Sequence, residues 1–161
     1  MPKELELFPK TMYCIDTSSL INLKLYRRDV FPTIWNKLED MIKDGELISP
    51  LEVYGETQRY YMKDEIYYWC TKNKKMFKDI DEFQGRKLKD IEEQYDKKYW
   101  ENEMNKPKWA DPWVIALSIC EEAIIVADEK NKPNRIPYIS ATFGKEYLTL
   151  LDFFKKIGIK Y

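Results

Sequence analysis

The sequence predicts an α/β domain with a short parallel sheet. Three observations carry this prediction: apolar runs of three to five residues, polar or proline residues that end them, and amphipathic segments between the runs. Short, fully apolar strands separated by helices are typical of parallel sheets, because helices cover both faces of such sheets. The 161 residues fit one domain, 1–161.

The first half of the chain has a separate signal for each element. Residues 12–15 are apolar and stop abruptly at Asp16, which predicts a buried strand followed by a helix with several candidate N-caps. Residues 31–44 repeat apolar side chains at helical spacing, and Gly45 is the stop signal. Residues 47–49 predict a second strand, closed by a proline and followed by a helix.

The segment 58–105 is strongly charged and rich in aromatic residues. It predicts two or three extra helices with breaks near Asn73 and Gly85. Its aromatic residues include Tyr60, Tyr61, Tyr67, Tyr68, Trp69, Tyr95, Tyr99 and Trp100. Such an abundance favours packing between helices over a surface that stacks on bases.

The last third of the chain returns to alternating helices and strands. Asp111 before Pro112 predicts the N-cap of a helix. Residues 123–127 are the most strand-like run, and they end at Asp128 before a polar loop over 130–135. The final elements are a strand over 148–150 and a helix over 151–157.

Residue counts exclude several classes of function. The chain has no histidine, which removes His-based catalytic triads, His general acid–base catalysis and mixed His/Cys zinc sites. Its five glycines are dispersed, so the sequence has neither a P-loop nor a dinucleotide-binding loop. Cys14, Cys70 and Cys120 predict buried free thiols in a reducing cytoplasm. With no signal-peptide pattern and no apolar run of 18 residues, a cytoplasmic protein without a membrane partner is expected.

Acidic residues follow the predicted strands. Asp16 and Asp128 end two of them directly, and Asp111 begins the helix that leads into the strand over 123–127. The other candidates are Glu52 and Glu56, one helical turn apart after the second strand, and Glu129 beside Asp128. Because open α/β sheets bind ligands at the carboxyl ends of their strands, four acids are expected to converge on one edge.

Convergence of carboxylates has a chemical consequence. Carboxylates in one small site repel one another, and without a cation at least one takes up a proton. A hard divalent ion, Mg²⁺ or Mn²⁺, prefers such ligands and makes hydroxide available at neutral pH for phosphodiester hydrolysis. No histidine is then required. Taken singly, each acid also has a structural interpretation as an N-cap or a solvated helix or turn residue.

The acidic motifs resemble those of PIN domains. Residues 13–21 (YCIDTSSLI) are similar to the opening strand and first acidic motif, and residues 48–56 (ISPLEVYGE) to the segment with the second acid. Residues 109–117 (WADPWVIAL) resemble the helix of the third acid, and residues 123–130 (AIIVADEK) the strand and turn after it. Over residues 12–160 the chain is most similar to a PIN-like family catalogued as a domain of unknown function, DUF4411.

The resemblance implies a single PIN-like domain, a three-layer α/β/α sandwich with a short central parallel sheet and extra helices in 58–105. It also implies a ribonuclease dependent on Mg²⁺ or Mn²⁺. Many PIN proteins are VapC-like toxins of toxin–antitoxin pairs, so the implied partners are an RNA substrate and a protein antitoxin. The extra helices offer a face for that antitoxin or for a homodimer, and the sequence leaves both open.

The resemblance also assigns roles to residues. The implied catalytic and metal-binding acids are Asp16, Glu56, Asp111 and Asp128, with Ser18 as a supporting hydroxyl. Glu52 stays an alternative to Glu56 as a metal ligand. Glu129 stays an alternative to Asp128, because this chain has Ala127 where PIN domains often have a threonine.

Only local clusters of positive charge can form a nucleic-acid site in this sequence. Lys and Arg total 27 against 28 Asp and Glu, a net charge of −1, so a nucleic-acid site depends on clustering. Single-stranded RNA is held by cations on phosphates and aromatic rings under bases. The candidates beside the acids are Lys106, Lys108, Lys130, Lys132 and Arg135. The lysines at 72–78 have less support from position, because the whole chain is rich in lysine.

Two function classes stay open at this level. The first is the metal-dependent endoribonuclease. The second is a catalytically degenerate PIN-like module that binds RNA or protein, since the last acidic motif departs from the usual pattern. A haloacid-dehalogenase-like phosphatase is disfavoured, because its chemistry needs a second aspartate at the position of Ser18.

Overall fold

The computed structural model describes residues 10–59, 63–79 and 81–160. Its strands are β1 (Tyr13–Ile15), β2 (Leu47–Pro50), β3 (Phe77–Lys78), β4 (Ile124–Val126) and β5 (Tyr147–Leu148). Its α-helices are α1 (Thr17–Asn22), α2 (Pro32–Lys43), α3 (Leu51–Arg59), α4 (Glu65–Lys72), α5 (Glu82–Glu92), α6 (Lys97–Met104), α7 (Asp111–Cys120), α8 (Ile136–Ala141) and α9 (Leu150–Lys156). Tyr60 and Tyr61 lie outside the described residues, and so do residues 1–9, where the sequence shows no signal-peptide pattern.

The described strands form a five-stranded parallel sheet in the order β3-β2-β1-β4-β5. The central strand is β1, where Cys14 lies opposite Ile48 of β2 and Ile125 of β4. The chain extends from β1 to β2 on one side and later returns to β4 on the other. The strand order therefore reverses between β1 and β4, which is where open α/β sheets form ligand sites. The predicted α/β class with a parallel sheet is confirmed.

Helices cover both faces of the sheet. Successive side chains of a strand point to opposite faces, so two neighbouring residues of β1 show which helix lies on each face. The Cys14 thiol lies 3.8 Å from the carbonyl oxygen of Val114 in α7. The neighbouring Tyr13 ring instead packs against Phe153 of α9, with 4.9 Å between the ring centroids. These contacts place α7 and α9 in different layers, so the three-layer α/β/α sandwich is confirmed.

The core contains two of the three cysteines. Cys14 and Cys70 are buried free thiols, as predicted, whereas Cys120 is free but only partly buried. Burial raises the pKa of Cys14 to about 12, so its thiol stays protonated and packs as a small apolar group. None of the helices in the described ranges is long and apolar enough to cross a membrane.

The predicted helix break at Gly85 is wrong. Gly85 lies inside α5, which begins at the Asp81 N-cap, where the Asp81 carboxylate accepts the Gln84 N–H at 2.8 Å. An interior glycine costs about 1 kcal/mol relative to alanine, and the packing of α5 against α7 offsets that cost. The break near Asn73 is confirmed, since α4 ends at Lys72.

Two predicted boundaries shift by one or two residues. Ala110 takes the N-cap position of α7, and Asp111 is the first helical residue, not the N-cap. At the last helix, the Thr149 hydroxyl accepts the Asp152 N–H at 3.2 Å, so Thr149 is a cap and α9 starts at residue 150. The strand predicted over 148–150 therefore ends at Leu148.

Two elements were missed. β3 has only two residues, too few for a pattern of alternation, and it pairs with the end of β2 through Phe77 opposite Ser49. α8 has six residues and follows the loop after β4. Only α8 matters for the site, because its first residue donates a hydrogen bond to an acidic side chain.

Candidate metal centre

Three acidic residues come together at the reversal point of the sheet: Asp16, Asp111 and Glu129. Each offers a carboxylate oxygen, and these oxygens lie within 4.8 Å of one another. We call this group the acidic cluster. Its members come from the end of β1, the start of α7 and the loop after β4. Because open α/β sheets form their ligand sites at the carboxyl ends of the strands, the topology brings these acids together at one edge.

Asp16 uses its two carboxylate oxygens differently. Its Oδ2 accepts hydrogen bonds from the Ser18 backbone N–H at 3.2 Å and from the Ser18 hydroxyl at 2.7 Å. Its Oδ1 is buried and has no hydrogen-bond partner in the described part of the chain. One oxygen therefore caps α1, as the structural interpretation expects, while the other is left for a ligand.

Asp111 lies at the first position of α7 and is 8% exposed. The start of this helix is fixed by Glu56 of α3, whose Oε1 accepts the Ala110 N–H at 2.7 Å. Glu56 thus contacts the residue next to Asp111 and is not a member of the acidic cluster. The positive end of the helix dipole favours an ionised carboxylate at this position.

Asp128 and Glu129 are neighbours in sequence with different surroundings. Both oxygens of Asp128 accept hydrogen bonds, from Asn22 Nδ2 at 2.6 Å and from the Leu150 N–H at 2.8 Å. The Asp128 N–H also donates to the Ser18 hydroxyl at 2.9 Å. Glu129 Oε2 accepts the N–H of Ile136, the first residue of α8, at 3.1 Å, and its carboxylate joins the acidic cluster.

Glu52 lies apart from the acidic cluster. It is one turn before Glu56 on α3, and it lines a cleft together with Trp109 and Trp113. Its Oε1 is buried and makes no hydrogen bond to a described residue. Burial raises the pKa of Glu52, and the positive charge of Lys108 opposes that rise.

Burial and mutual repulsion disfavour ionisation of these acids. Burial, followed by the negative charge of Asp16, raises the pKa of both Glu56 and Glu129 to about 7. The same causes hold the pKa of Asp111 well above its ordinary value. Burial also raises the pKa of Asp16. The positive charge of Arg135 opposes the shifts of Asp111 and Glu129 without cancelling them.

The donor set fits a hard divalent cation. All the donors are carboxylate oxygens, which Mg²⁺ prefers, and Asp16 also has a buried oxygen without a partner among the described residues. A cation among Asp16, Asp111 and Glu129 would offset the repulsion that, together with burial, raises their pKa values. The acidic cluster is therefore compatible with a divalent metal site.

The basic side chains that were predicted to bind nucleic acid have different surroundings. Lys106 is exposed and pairs with Glu103 at 2.8 Å. The stem of Lys108 lies on Gly55 of α3, where a Cβ atom added to the glycine would meet Lys108 Cδ and Cε at 3.0 Å. Lys130 and Lys132 are exposed, whereas Arg135 is partly buried and its charge acts on the acidic cluster. Among the lysines at 72–78, Lys72 lines a separate cleft with Trp69, and Lys74 lies over the Tyr54 ring.

Sequence reasoning missed Tyr95. The Tyr95 hydroxyl is buried and has no hydrogen-bond partner among the residues described. The Tyr95 ring makes edge contacts with the rings of Trp100 and Trp109, each with 5.3 Å between ring centroids. Burial, followed by the charges of Asp111 and Glu129, raises its pKa, so the phenol stays neutral beside the acidic cluster. In a segment with so many tyrosines, no sequence signal distinguishes this one.

Comparison with known proteins identifies one family. A family model with the description "Domain of unknown function (DUF4411)" matches residues 13–161. Comparison with curated proteins gives no match. The matched region begins at β1 and includes the acidic cluster, Glu56 and Asp128. Because the match spans nearly the whole chain, this protein belongs to the DUF4411 family.

Proposed function

We propose that this protein is a metal-dependent endoribonuclease of PIN type. The observation that carries the proposal is the acidic cluster at the reversal point of the sheet, with the buried Oδ1 of Asp16 that no described residue bonds. Asp16, Asp111 and Glu129 would hold Mg²⁺ or Mn²⁺. When bound, such an ion supplies an activated water at neutral pH and offsets the negative charge that develops on the phosphate.

Other residues act on the site by positioning its ligands. The Ser18 hydroxyl donates to Asp16 and accepts from the Asp128 N–H, so it couples the ends of β1 and β4. Glu56 fixes the residue before Asp111. Asp128, the residue before Glu129, is held in place by its own bonds to α1 and α9. Such supporting contacts hold metal ligands in place, and their loss typically costs about 10- to 100-fold in metal affinity or activity.

Support for RNA as the substrate comes from the surroundings of the acidic cluster. Arg135 carries a positive charge next to it, and Lys106, Lys108 and Trp109 lie just before Asp111. Cations and aromatic rings beside a site of this kind fit a single-stranded nucleic acid. The resemblance to VapC-like toxins extends the proposal to an inhibiting protein antitoxin.

The direct test measures cleavage of a labelled single-stranded RNA in the presence of Mg²⁺ or Mn²⁺, with and without EDTA. We expect EDTA or the substitution Asp16→Asn to abolish cleavage. Asp90→Asn is the matched control, because Asp90 is an exposed residue of α5. Cleavage that survives both EDTA and Asp16→Asn would contradict the proposal. RNA binding and Mn²⁺ binding without cleavage would favour the alternative, a PIN-like binding module.

A further inference from the structure

Arg135 directly precedes helix α8 and lies beside the acidic cluster. The N–H of the next residue, Ile136, donates to Glu129 Oε2 at 3.1 Å, so the backbone of Arg135 adjoins one of the three cluster acids. Burial raises the pKa of Asp111 and of Glu129, and the positive charge of Arg135 opposes that rise at both residues. The guanidinium group is therefore close enough to the acidic cluster to act on two of its members.

Hydrogen bonds fix the backbone on the N-terminal side of this arginine. Its own N–H donates to the Lys132 carbonyl oxygen at 3.1 Å. Asn134 has a φ of 67°, in the left-handed region that asparagine tolerates better than most residues, and its side-chain oxygen accepts the Asp96 N–H at 2.8 Å. Asp96 is the N-cap of α6, so the loop after β4 is attached to that helix immediately before Arg135. The arginine side chain thus starts from a fixed point next to the acidic cluster.

The guanidinium group of Arg135 makes neither an ion pair nor a hydrogen bond to any residue that the structure describes. Two other arginines behave differently, since Arg27 pairs with Asp29 at 2.9 Å and Arg28 pairs with Glu39 at 2.7 Å. Arg135 is partly buried and lies beside three carboxylates, yet its N–H groups remain available to an acceptor that is not part of the described chain. A partly buried cation without a partner gains binding energy from an anion that supplies one.

A phosphodiester group has the chemistry to use both the arginine and the acidic cluster. Its negative charge is shared by two non-bridging oxygens. One of them can bind a hard divalent cation, for which oxygen is the preferred ligand. The other can accept N–H groups of the planar guanidinium, which matches phosphate oxygens more closely than a lysine ammonium does. One phosphate would therefore satisfy the unpaired arginine and a cation at the acidic cluster at the same time.

We propose that Arg135 is a catalytic residue that binds the phosphate at the cleaved bond. It donates to one non-bridging oxygen of that phosphate, and the other oxygen is left for a cation held by Asp16, Asp111 and Glu129. The inference rests on the proposed function, because it needs a cation at the acidic cluster. It gives Arg135 a role that the other basic residues near the acids do not share.

The reaction at that phosphate is hydrolysis. A P–O bond forms to the water oxygen, and the P–O bond to the leaving sugar oxygen breaks. One water proton ends on that sugar oxygen and the other goes to solvent. Arg135 transfers no proton, because arginine stays protonated in proteins. Its contribution is electrostatic, since negative charge on the phosphate oxygens is stabilised by N–H donors that are already in position.

Lys132 gives a matched control in the same loop. It is three residues before Arg135, and it is exposed. A solvated lysine attracts a nucleic acid along its whole length, and salt screens that attraction. Substitution of Lys132 should therefore weaken the attraction of a long strand without affecting a single phosphate held at the acidic cluster.

The first test measures phosphate binding without cleavage. The probe is uridine 5′-monophosphate, which has no phosphodiester bond, and it is titrated calorimetrically into the full chain in Mn²⁺ or in EDTA. Uridine is the probe without a phosphate. We expect Mn²⁺ to strengthen the binding of the monophosphate but not of uridine. Arg135→Gln should weaken monophosphate binding in Mn²⁺ by about tenfold or more, the lower limit for a lost hydrogen bond between charged groups.

Two further variants sharpen this test. Arg135→Lys keeps the charge and loses the planar fork, so it should weaken monophosphate binding by less than Arg135→Gln does. Lys132→Gln should leave monophosphate binding unchanged. If Arg135→Gln does not fold, Arg135→Lys carries the test, and full monophosphate affinity in that variant would overturn the inference.

The second test measures RNA cleavage by the same variants. Arg135→Gln should lower kcat by about tenfold or more and change KM less, because the lost donor acts on charge that develops in the transition state. Lys132→Gln should instead raise KM, and the increase should become smaller as the salt concentration rises.

The two tests separate this inference from the proposed nuclease function. Equal monophosphate affinity of the unmodified chain and Arg135→Gln in Mn²⁺ would overturn the inference, as would an equal loss in Arg135→Gln and Lys132→Gln. Binding that depends on Arg135 in a chain that cleaves no RNA would retain the phosphate site and overturn the nuclease. Cleavage with an unchanged kcat in Arg135→Gln would retain the nuclease and overturn the role of the arginine.

Discussion

Two carboxylates that are adjacent in sequence have opposite surroundings in this protein. Asp128 has both oxygens bonded, to Asn22 of α1 and to the start of α9, so it joins two helices. Glu129 contributes to the acidic cluster, where its neighbours are the carboxylates of Asp16 and Asp111. The Asp128 carboxylate accepts its hydrogen bonds from within the protein, whereas the Glu129 carboxylate lies among other carboxylates that repel it.

The difference separates an acid whose oxygens are bonded within the protein from an acid that could bind a cation. A carboxylate whose oxygens accept well-placed hydrogen bonds stabilises the fold in its ionised form. The carboxylates of the acidic cluster instead make the fold less stable when all are ionised, and a bound cation would offset that effect. A substitution at Asp128 should therefore lower the free energy of unfolding and change metal affinity little. A substitution in the acidic cluster should raise the free energy of unfolding of the metal-free protein and lower its metal affinity.

The largest expected effect is on metal binding by Asp111→Asn. The substitution removes the charge of a proposed ligand, so Mn²⁺ affinity should fall by more than the roughly 10- to 100-fold that loss of a supporting residue costs. The free energy of unfolding without metal should rise, because repulsion with Asp16 and Glu129 is relieved. Calorimetric titration with Mn²⁺ and chemical denaturation measure the two quantities. A destabilised variant with unchanged Mn²⁺ affinity would contradict the assignment.

The pH dependence of stability comes next in size. The pKa values of Glu56 and Glu129 rise from 4.5 to about 7 on folding. The folded metal-free protein thus holds protons that the unfolded chain has released, so the stability these groups contribute is fully present below about pH 4.5 and is lost as the pH rises through 7. One unit of pKa shift corresponds to about 1.4 kcal/mol, so the loss is on the order of a few kcal/mol.

Denaturation between pH 5 and pH 8 measures this loss. Mn²⁺ should restore more stability at pH 8 than at pH 5, because the cation replaces the protons. The variant Glu129→Gln serves as the control, and its stability should vary less with pH. A stability that rises between pH 5 and pH 8 in the metal-free protein would count against repulsion in the acidic cluster.

Asp128→Asn tests the other side of the comparison. It weakens the hydrogen bonds to Asn22 and to the Leu150 N–H, and the expected loss in the free energy of unfolding is about 1–3 kcal/mol. Mn²⁺ affinity should fall much less than in Asp111→Asn. Loss of Mn²⁺ binding in a variant that folds as stably as the unmodified chain would instead identify Asp128 as a ligand.

The smallest expected change in stability comes from Tyr95→Phe. Removing a buried hydroxyl that no described residue bonds should leave the free energy of unfolding unchanged or raise it by up to about 1 kcal/mol. Cleavage should nevertheless slow, because the hydroxyl is a neutral donor beside the acidic cluster. Tyr99→Phe, on the ring stacked against Tyr95, is the control in both assays. A slower Tyr95→Phe variant that is also less stable would indicate a packing role only.

The strand ends were predictable from sequence, because short apolar runs that stop at an acid leave few alternatives. That reasoning located Asp16, Asp111 and the pair Asp128 and Glu129. It could not choose between the last two, since the choice depends on two distant partners of Asp128. Asn22 lies 106 residues before it and Leu150 lies 22 residues after it. Contacts between distant elements leave no local pattern.

Features of the extra helices were harder to predict. Gly85 is a breaker by local propensity, yet packing of α5 on α7 keeps it helical. Tyr95 is one of 12 tyrosines in the chain, and only the fold places its hydroxyl beside the acids. Glu52 and Glu56 share a helical face, but the residues before α7 give them different surroundings: a cleft for Glu52 and the Ala110 N–H for Glu56.

The most direct test of the metal centre is anomalous X-ray diffraction from crystals soaked in Mn²⁺. We expect a peak bound by one carboxylate oxygen from each of Asp16, Asp111 and Glu129, at metal–oxygen distances of about 2 Å. The Asp128 carboxylate should keep its hydrogen bonds to Asn22 and to the Leu150 N–H. A peak coordinated by Asp128, or an acidic cluster that binds no Mn²⁺ in the soaked crystal, would contradict the assignment.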